Sequence, residues 1–439
     1  MKRAIKVGLI GIGTVGTGVA KILLEKKELL ELRVGTPLIL KQAADQYLDR
    51  PRPVDLSSVA LTESAEDVIN NPEIDIIVEL IGGYEPARTF ILKAISKGKH
   101  IVTANKALLA TCGEEIFSAA YRRGVDVAFE ASVGGGIPLI KGIKEGLVGN
   151  NIDCMFGILN GTANYILTKM TDEGTTFGVA LKNAQQKGYA EADPKFDVEG
   201  VDTAHKLAIL TALAYGTHID FENIYVEGIG YTTPLDIQFA KELGYRIKLL
   251  AISRLRKDGI EMRVHPTMIP DVHLLANVNG AYNALLIKGD SVGNVIFYGL
   301  GAGMMPAGSA VVSDIVDISR NLIKGGIQRV PALAYTPGGR KKRSAIPIDD
   351  LECCYYFRFS ALDQPGVLAK IAGILGGHRI SIASVIQKGR EIKGSVPVVM
   401  LTHKAKEAHV KQALREIDKL EVVRGKTVSM RIEDNLDAF

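Results

Sequence analysis

The sequence has no tryptophan, and aromatic residues make up only 6% of its 439 positions. A platform for stacking nucleic-acid bases is therefore not expected. The net charge is +4, too small to mark a nucleic-acid-binding surface. The four cysteines are Cys112, Cys154, Cys353 and Cys354, and none forms a C-x-x-C pair. Adjacent cysteines rarely bridge each other, so reduced thiols and a cytoplasmic setting are expected. No uncharged apolar run reaches the roughly 18 residues of a membrane span. The start, Met1-Lys2-Arg3-Ala4-Ile5-Lys6-Val7, imitates a basic n-region, but Gly8, Gly11 and Gly13 interrupt the run behind it. No A-x-A-like cleavage site follows, so a signal peptide is not expected. What is present is ordinary globular usage, 47% hydrophobic and 23% charged, enough for two or three domains.

The densest cluster of acids lies at Glu191, Asp193, Asp197, Glu199 and Asp202, just before Lys206. Leu207 to Tyr215 follows and is apolar on nearly every side, the pattern of a buried helix. Asp202 and Lys206, four apart, share one helix face. On a solvated face such a pair is worth about 0.3–0.5 kcal/mol and nothing more. Charged residues are rarely buried without a reason, however, and a cation near a helix start opposes the helix dipole. A partly desolvated lysine beside an aspartate is an arrangement for donating a proton.

Ala4 to Ile10 reads as a strand, Gly11-Ile12-Gly13-Thr14-Val15-Gly16 as a turn, and Val15, Val19, Ile22 and Leu23 as a helix face. In that context G-x-G-x-x-G is a dinucleotide fingerprint rather than a plain glycine turn. Gly11 allows the tight turn, Gly13 lets a pyrophosphate approach, and Gly16 lets helix pack on strand. After the next strand, Pro37 to Ala44, comes Asp45, somewhat beyond the usual ~20-residue spacing, placed to bond the ribose hydroxyls of NAD. Arg50 and Arg52 stand nearby as possible partners of a 2′-phosphate; Asp45-Gln46 favours NAD. Further strands at 75–81, 100–103 and 125–129 alternate with helices at 85–97 and 107–122, which predicts a parallel, doubly wound sheet. Gly82, and Lys106 within Thr103-Ala104-Asn105-Lys106-Ala107-Leu108, follow strand ends where such sheets bind ligands.

Phe129 to Pro138 is a glycine-rich turn with one carboxylate, Glu130. It suits a hard, weakly held cation or simply a hinge between domains. Residues 157–166 read as strand, turn and helix, with Asn160 and Thr162 able either to cap that helix or to touch substrate. Strands are predicted at 224–226, 245–254, 261–266 and 284–288, forming a mixed sheet whose free face can pair subunits. Tyr298 to Pro306 reads as a second glycine loop, before a helix over 310–318. Tyr335 to Arg343 is breaker-rich and basic, a solvated linker. Beyond it, strand, helix, strands and helix within residues 354–420 suit a ferredoxin-like βαββαβ module.

The spacing Ala184-x3-Gly188-Tyr189-Ala190-x2-Asp193-Pro194-x2-Asp197-Val198-x-Gly200-x-Asp202-x3-Lys206 resembles the signature of homoserine dehydrogenases. The N-K-A-L piece at Asn105 to Leu108 matches as well, and the resemblance extends over essentially the whole chain, with no aspartate kinase region expected ahead of it. It implies NAD(P)-dependent interconversion of L-homoserine and L-aspartate 4-semialdehyde, within threonine, methionine and isoleucine biosynthesis. It implies Lys206 as proton donor, Lys106 as a second active-site lysine, Asp202 orienting both Lys206 and substrate, Glu191 taking the substrate ammonium, and Asp197 shaping the loop. For the cofactor it implies residues Gly11 to Gly16, Asp45, Gly82, Lys106, Gly188 and Gly303, the last on a segment returning to the nucleotide domain. A sodium ion is implied on Glu130 and the carbonyls of Val133, Gly135 and Ile137. Where the family commonly has two threonines, Ala163 departs from the pattern.

The loop Asp363-Gln364-Pro365-Gly366-Val367-Leu368 is similar to the start of an ACT domain, which implies a regulatory amino-acid site, with threonine as effector, and pairing into a homodimer or homotetramer. The expected architecture is α/β: a Rossmann-type dinucleotide-binding domain over 1–135 with a return at about 300–330, and a mixed α+β catalytic and dimerisation domain over 136–330. A linker at 331–350 and a ferredoxin-like ACT domain over 351–439 complete it. A chain ending near Arg340 is then expected to stay active and lose threonine sensitivity if it remains folded. A different nicotinamide enzyme for amino-acid aldehydes, or a non-catalytic amino-acid sensor, are the rival readings. The acidic signature opposes the first, and the joint presence of Lys106, Glu191, Asp202 and Lys206 the second.

Overall fold

The structure, a computed structural model, describes residues 4–387 and 394–436; the basic start Met1 to Arg3 lies outside them. The chain forms two compact units, each drawn from separate stretches: Met1–Gly161, Asp202–Ile224 and Ala281–Arg343 in one, Thr162–Val201, Tyr225–Gly280 and Ser344–Phe439 in the other.

In the first unit, β1 (Ile5–Ile10), β2 (Leu38–Ala44), β3 (Ala60–Thr62), β4 (Ile76–Glu79), β5 (His100–Thr103) and β6 (Val127–Ala128) form a parallel sheet in the order β3-β2-β1-β4-β5-β6. Parallel strands are covered on both faces and so read as continuous apolar runs; all four positions of β4 are buried, including Glu79. The strand order reverses between β1 and β4, which opens a crevice at their carboxyl ends. Helix Thr14–Glu25 packs on this sheet, and Val311, Val312, Ile315, Val316 and Ile318 of helix Met304–Lys324 join the same core. The two helices cross at glycine: a Cβ on Gly18 would lie 2.2 Å from the Met304 carbonyl oxygen, and one on Gly308 2.9 Å from the Gly18 carbonyl carbon. Gly18→Ala should therefore cost about 1–3 kcal/mol by forcing the helices apart. Gly13→Ala, whose Cβ meets nothing within 4 Å, should leave Tm nearly unchanged, and thermal melts of the two variants make the comparison.

The same unit holds an antiparallel trio, Ile152–Ile158, Tyr282–Gly289 and Gly293–Leu300. The sequence reading missed the last of these and began a glycine loop at Tyr298. Gly293–Leu300 buries none of its eight positions fully, so no alternation of buried and exposed residues marks it. The solvated linker also needs correction. Arg340 donates to both Glu114 carboxylate oxygens and to the Thr217 carbonyl, and the Tyr335 hydroxyl donates to Ala214 O at 3.2 Å. The basic run Lys341 to Arg343 itself is exposed.

In the second unit, strands Tyr245–Leu255 and Ile260–Pro270 form a long antiparallel hairpin. Strands Val428–Ile432, Glu352–Ala361, Val396–Thr402 and Ile382–Gln387 follow in that spatial order, antiparallel to one another. With helices Val367–Gly377 and Glu407–Ile417 they make the βαββαβ module, around a core including Tyr355, Phe357, Phe359, Ile371, Leu375, Val410 and Ile417. Val428–Ile432 also pairs in parallel with the hairpin, Thr267 opposite Arg431 and Met268 opposite Ile432. Buried charges cross that seam. Glu433 accepts from Arg254 and Arg263, Arg431 donates to Glu227 at 2.9 Å, and the Arg358 Nε reaches Asp236 at 2.6 Å. A chain ending near Arg340 would expose this seam and strand those charges, so truncation there does not isolate regulation from folding.

Candidate active site

The helix Val201–Tyr215 buries every residue from Asp202 onward, and its first turns carry the charges. Lys206 Nζ donates to Asp202 Oδ2 at 2.7 Å and to the main-chain oxygen of Leu159 at 2.6 Å. An ammonium has three donors, so one N–H of Lys206 remains for a ligand. Asp202 Oδ2 also accepts from the Asn160 amide at 2.8 Å, while Oδ1 lies 3.2 Å from Lys106 Nζ. Burial alone would raise the Asp202 pKa; the ammonium groups of Lys206 and Lys106, with the bonds from Lys206 and Asn160, hold it below the usual carboxylate range. The carboxylate thus stays charged and fixes two lysines from different elements around itself. Burial and the neighbouring Lys106 charge push His205 down to about 4, so the ring is neutral beside these cations.

Lys106 opens the helix Lys106–Arg123, where Asn105 caps the first turn by accepting from Leu108 N at 3.1 Å. Its amide donates to Gly83 O at 2.7 Å. Glu79 clamps the same loop: Oε1 accepts from Ile81 N and Gly82 N, and Oε2 from the Thr103 hydroxyl at 2.6 Å. Burial raises the Glu79 pKa against those hydrogen bonds. The carboxyl ends of β4 and β5 are thereby tied together beside Lys106.

The glycine turn fits a dinucleotide. Gly11 has φ +97°, and a Cβ on Gly16 would lie 2.0 Å from the Gly11 carbonyl oxygen. Above Gly13 the space is open, which is where a pyrophosphate meets the helix N-terminus. Thr14 is exposed and Ile12 buried. Asp45 Oδ2 accepts from Ile12 N at 2.6 Å and Oδ1 from Tyr47 N at 2.9 Å. Arg52, offered above as a phosphate partner, is already committed. Its donors go to the carbonyls of Ile12, Leu48, Arg50 and Tyr47, and it lies 3.3 Å from Asp45 Oδ1. Gly303, φ +125°, precedes the helix Met304–Lys324, and its loop touches the Glu130 turn: a Cβ on Gly135 would lie 2.5 Å from Gly301.

Glu130 is buried. Its Oε1 accepts from Ile140 N at 2.8 Å and Oε2 from Lys141 N at 2.9 Å. Burial, then the nearby Asp314 charge, pushes Glu130 up to about 7. Among the described residues no hydrogen bond reaches the carbonyls of Val133 or Gly135, whereas that of Ile137 accepts from Leu139 N at 2.8 Å. Carboxylate and main-chain carbonyl oxygens are the kinds of donor a hard cation takes, and both Glu130 oxygens here already accept from main-chain amides. No group of three or more His, Cys, Asp or Glu side chains able to hold a metal occurs among the described residues.

Glu191, Asp197 and Gly188 lie in the second unit. Glu191 and Gly188 are exposed. The Gln185 amide donates to Glu191 O at 3.1 Å, and the Thr162 hydroxyl to Tyr189 O at 2.6 Å. Thr162 therefore anchors the acidic loop, whereas Asn160 holds Asp202. The sequence reading overlooked Glu79, the Leu159 carbonyl and the Asn105 cap. Glu79 left one signal, a carboxylate inside an apolar strand; the carbonyl left none. All four cysteines are free thiols, and no helix among the described residues is long and apolar enough to cross a membrane.

Comparison with known proteins agrees with this geometry. The family model for homoserine dehydrogenase matches residues 138–316, that for the homoserine dehydrogenase NAD binding domain residues 11–130, and that for the ACT domain residues 355–422. The chain is 47% identical over 433 residues to homoserine dehydrogenase of Pseudomonas aeruginosa, covering 98% of this chain and 99% of that one. It is 44% identical over 431 residues to the enzyme of Neisseria gonorrhoeae, covering 98% and 99%. A solved structure of a homoserine dehydrogenase from Thiobacillus denitrificans matches with TM-score 0.92 and 47% identity over 98% of this chain and 99% of that one.

Proposed function

Since the chain belongs to the homoserine dehydrogenase family of NAD(P)-using oxidoreductases, we propose that Lys206 is the proton donor and acceptor at the reacting oxygen of L-homoserine. The observation that carries this is the sharing of one buried carboxylate, Asp202, by Lys206 and Lys106. The nicotinamide supplies the hydride chemistry. As the aldehyde is reduced, negative charge gathers on its oxygen, and the free N–H of Lys206 stabilises that charge and delivers the proton. Lys106 adds a second positive charge, and Asp202 keeps both lysines oriented. Glu191 receives the substrate ammonium and Asp197 shapes the loop around it. Assaying NAD(P) reduction with L-homoserine against other amino-acid alcohols tests the reading.

Residues 1–135 with the 300–330 return hold the cofactor through Gly11 to Gly16, Asp45, Gly82, Lys106 and Gly303, and Gly188 of the catalytic domain also contributes. Residues 136–330 carry catalysis and subunit pairing in a homodimer or homotetramer. Glu130 and the carbonyls of Val133, Gly135 and Ile137 take a sodium ion. NAD should be used at least as well as NADP, because a 2′-phosphate would meet the Asp45 carboxylate while Arg52 has spent its donors. The ratio of kcat/KM for the two cofactors checks this, and a preference for NADP above tenfold would reject it.

The product homoserine leads to threonine, methionine and isoleucine in a cytoplasmic route, and residues 351–439 act as an ACT regulatory domain sensing threonine. Couplings of 1–3 kcal/mol correspond to about 5- to 150-fold effects. Saturating threonine should therefore lower initial rates at subsaturating L-homoserine by up to that factor. Indifference to millimolar threonine removes the effector assignment.

A further inference from the structure

Glu79 ends β4 and is wholly buried. The parallel register sets it opposite Thr103 at the end of β5. Oε1 accepts from Ile81 N at 2.9 Å and Gly82 N at 3.2 Å, and Oε2 from the Thr103 hydroxyl at 2.6 Å. Buried, with both oxygens spent, the carboxylate is not placed to touch substrate. A carboxylate taken out of water needs compensation. The groups that oppose the effect of burial on its pKa are Thr103, Gly82, Ile81 and Asn105, none of them a cation. An apolar side chain of similar volume would cost less in such a core, so stability alone does not explain an acid here.

Each oxygen leads to a different part of the active site. Oε1 leads to the loop after β4, where Gly82 and Gly83 both have φ +73°, a backbone that glycine adopts without cost. Two amides turned onto one carboxylate hold that loop in shape. The loop begins against the dinucleotide turn: Leu80 N donates to Ile10 O at 2.8 Å, and a Cβ on Gly11 would lie 2.9 Å from the Leu80 carbonyl. Oε2 leads to Lys106. The Thr103 hydroxyl accepts from Asn105 N at 3.1 Å, and the Asn105 amide returns to Gly83 O at 2.7 Å. Lys106, next in the chain, lies 3.2 Å from Asp202 Oδ1.

On the reading of Lys106 as a second positive charge at the reacting oxygen, we propose that Glu79 is a positioning residue that sets the cofactor loop in register with that lysine. It holds the loop through Oε1, and the start of the lysine's helix through Oε2, Thr103 and Asn105.

The test combines calorimetric titration of the full-length protein with NAD, steady-state kinetics with L-homoserine, and thermal melts as a folding control. Thr103→Val keeps the shape of the strand residue and cuts only the path to Lys106. Its kcat should fall roughly ten- to 100-fold, since a misplacement of about 1 Å can cost that much, at unchanged NAD affinity. Glu79→Ala cuts both paths and should also weaken NAD binding several-fold. Glu79→Gln, whose amide oxygen can still accept from Ile81 N and Gly82 N, should restore that affinity. Should Glu79→Ala fail to fold, Glu79→Gln and Thr103→Val carry the test. In a Lys106→Ala background Thr103→Val should cost little more, because changes that act through one group are not additive. Wild-type kcat in Thr103→Val, or full additivity with Lys106→Ala, overturns the positioning of Lys106 and leaves that lysine's own role standing. Wild-type NAD affinity in a folded Glu79→Ala overturns the hold on the loop. Wild-type kcat in Lys106→Ala removes the role of Lys106 and, with it, the reason to position it.

Discussion

Lys206→Ala should lower kcat by roughly 10²- to 10⁴-fold, the range for loss of a positioned general acid. The lysine is 8% exposed, its partners are Asp202 and the Leu159 carbonyl, and the remaining N–H is free for substrate. Asp202 keeps Asn160 and Lys106 as partners in the variant. The buried carboxylate is thus not abandoned, and the fold should survive. NAD affinity should hardly change, because the glycine turn and Asp45 are untouched. Asp202→Asn should also be severe, since it releases both lysines at once. Glu191→Ala should act mainly through KM for homoserine. Steady-state kinetics with melts as a folding control separate these outcomes; near-normal kcat in Lys206→Ala would remove the central assignment.

Glu433→Ala should lower stability by about 3–5 kcal/mol, the cost of breaking a buried ion pair from one side. Glu433 is the carboxylate between Arg254 and Arg263, both buried, at 2.5 Å from each. Glu261, 3.3 Å from Arg254 and 3.7 Å from Arg263, compensates only in part. For a unit of this size a loss of that order lowers Tm by about 10 °C. A pH dependence accompanies it. Burial would raise the Glu433 pKa, but the two arginines hold it down to about 2, against an ordinary 4.5. A depressed folded-state pKa means the unfolded chain binds more protons between those values. The stabilisation is therefore complete above about pH 4.5 and fades as pH falls toward 2, worth roughly 3 kcal/mol across that window. Denaturant melts against pH for wild type and Glu433→Ala should converge at low pH. Parallel curves would show that ionisation of Glu433 contributes nothing to stability.

Local features were legible in the sequence. The strand, glycine turn and helix of residues 5–25 announce themselves because period and glycine spacing agree within one stretch. Asp202 and Lys206 were readable as a pair because helical geometry joins positions four apart. Lys106 was readable as a crevice residue, since strand ends in such sheets bind ligands, but nothing in the spacing joins it to Asp202. The seam between Val428–Ile432 and Ile260–Pro270 was illegible for the same reason: it pairs distant segments through two registers, Thr267 with Arg431 and Met268 with Ile432. Arg52 misled because composition shows a charge near Asp45 but not that its donors already point to four carbonyls.

The most direct test of the central claim is the rate of NAD reduction by L-homoserine with the purified full-length wild type and Lys206→Ala. The expected result is turnover by the wild type with formation of L-aspartate 4-semialdehyde, and a loss of about 10²-fold or more in the variant at unchanged NAD affinity. No reduction of NAD or NADP by wild type with L-homoserine, or a variant turning over at the wild-type rate, would contradict it.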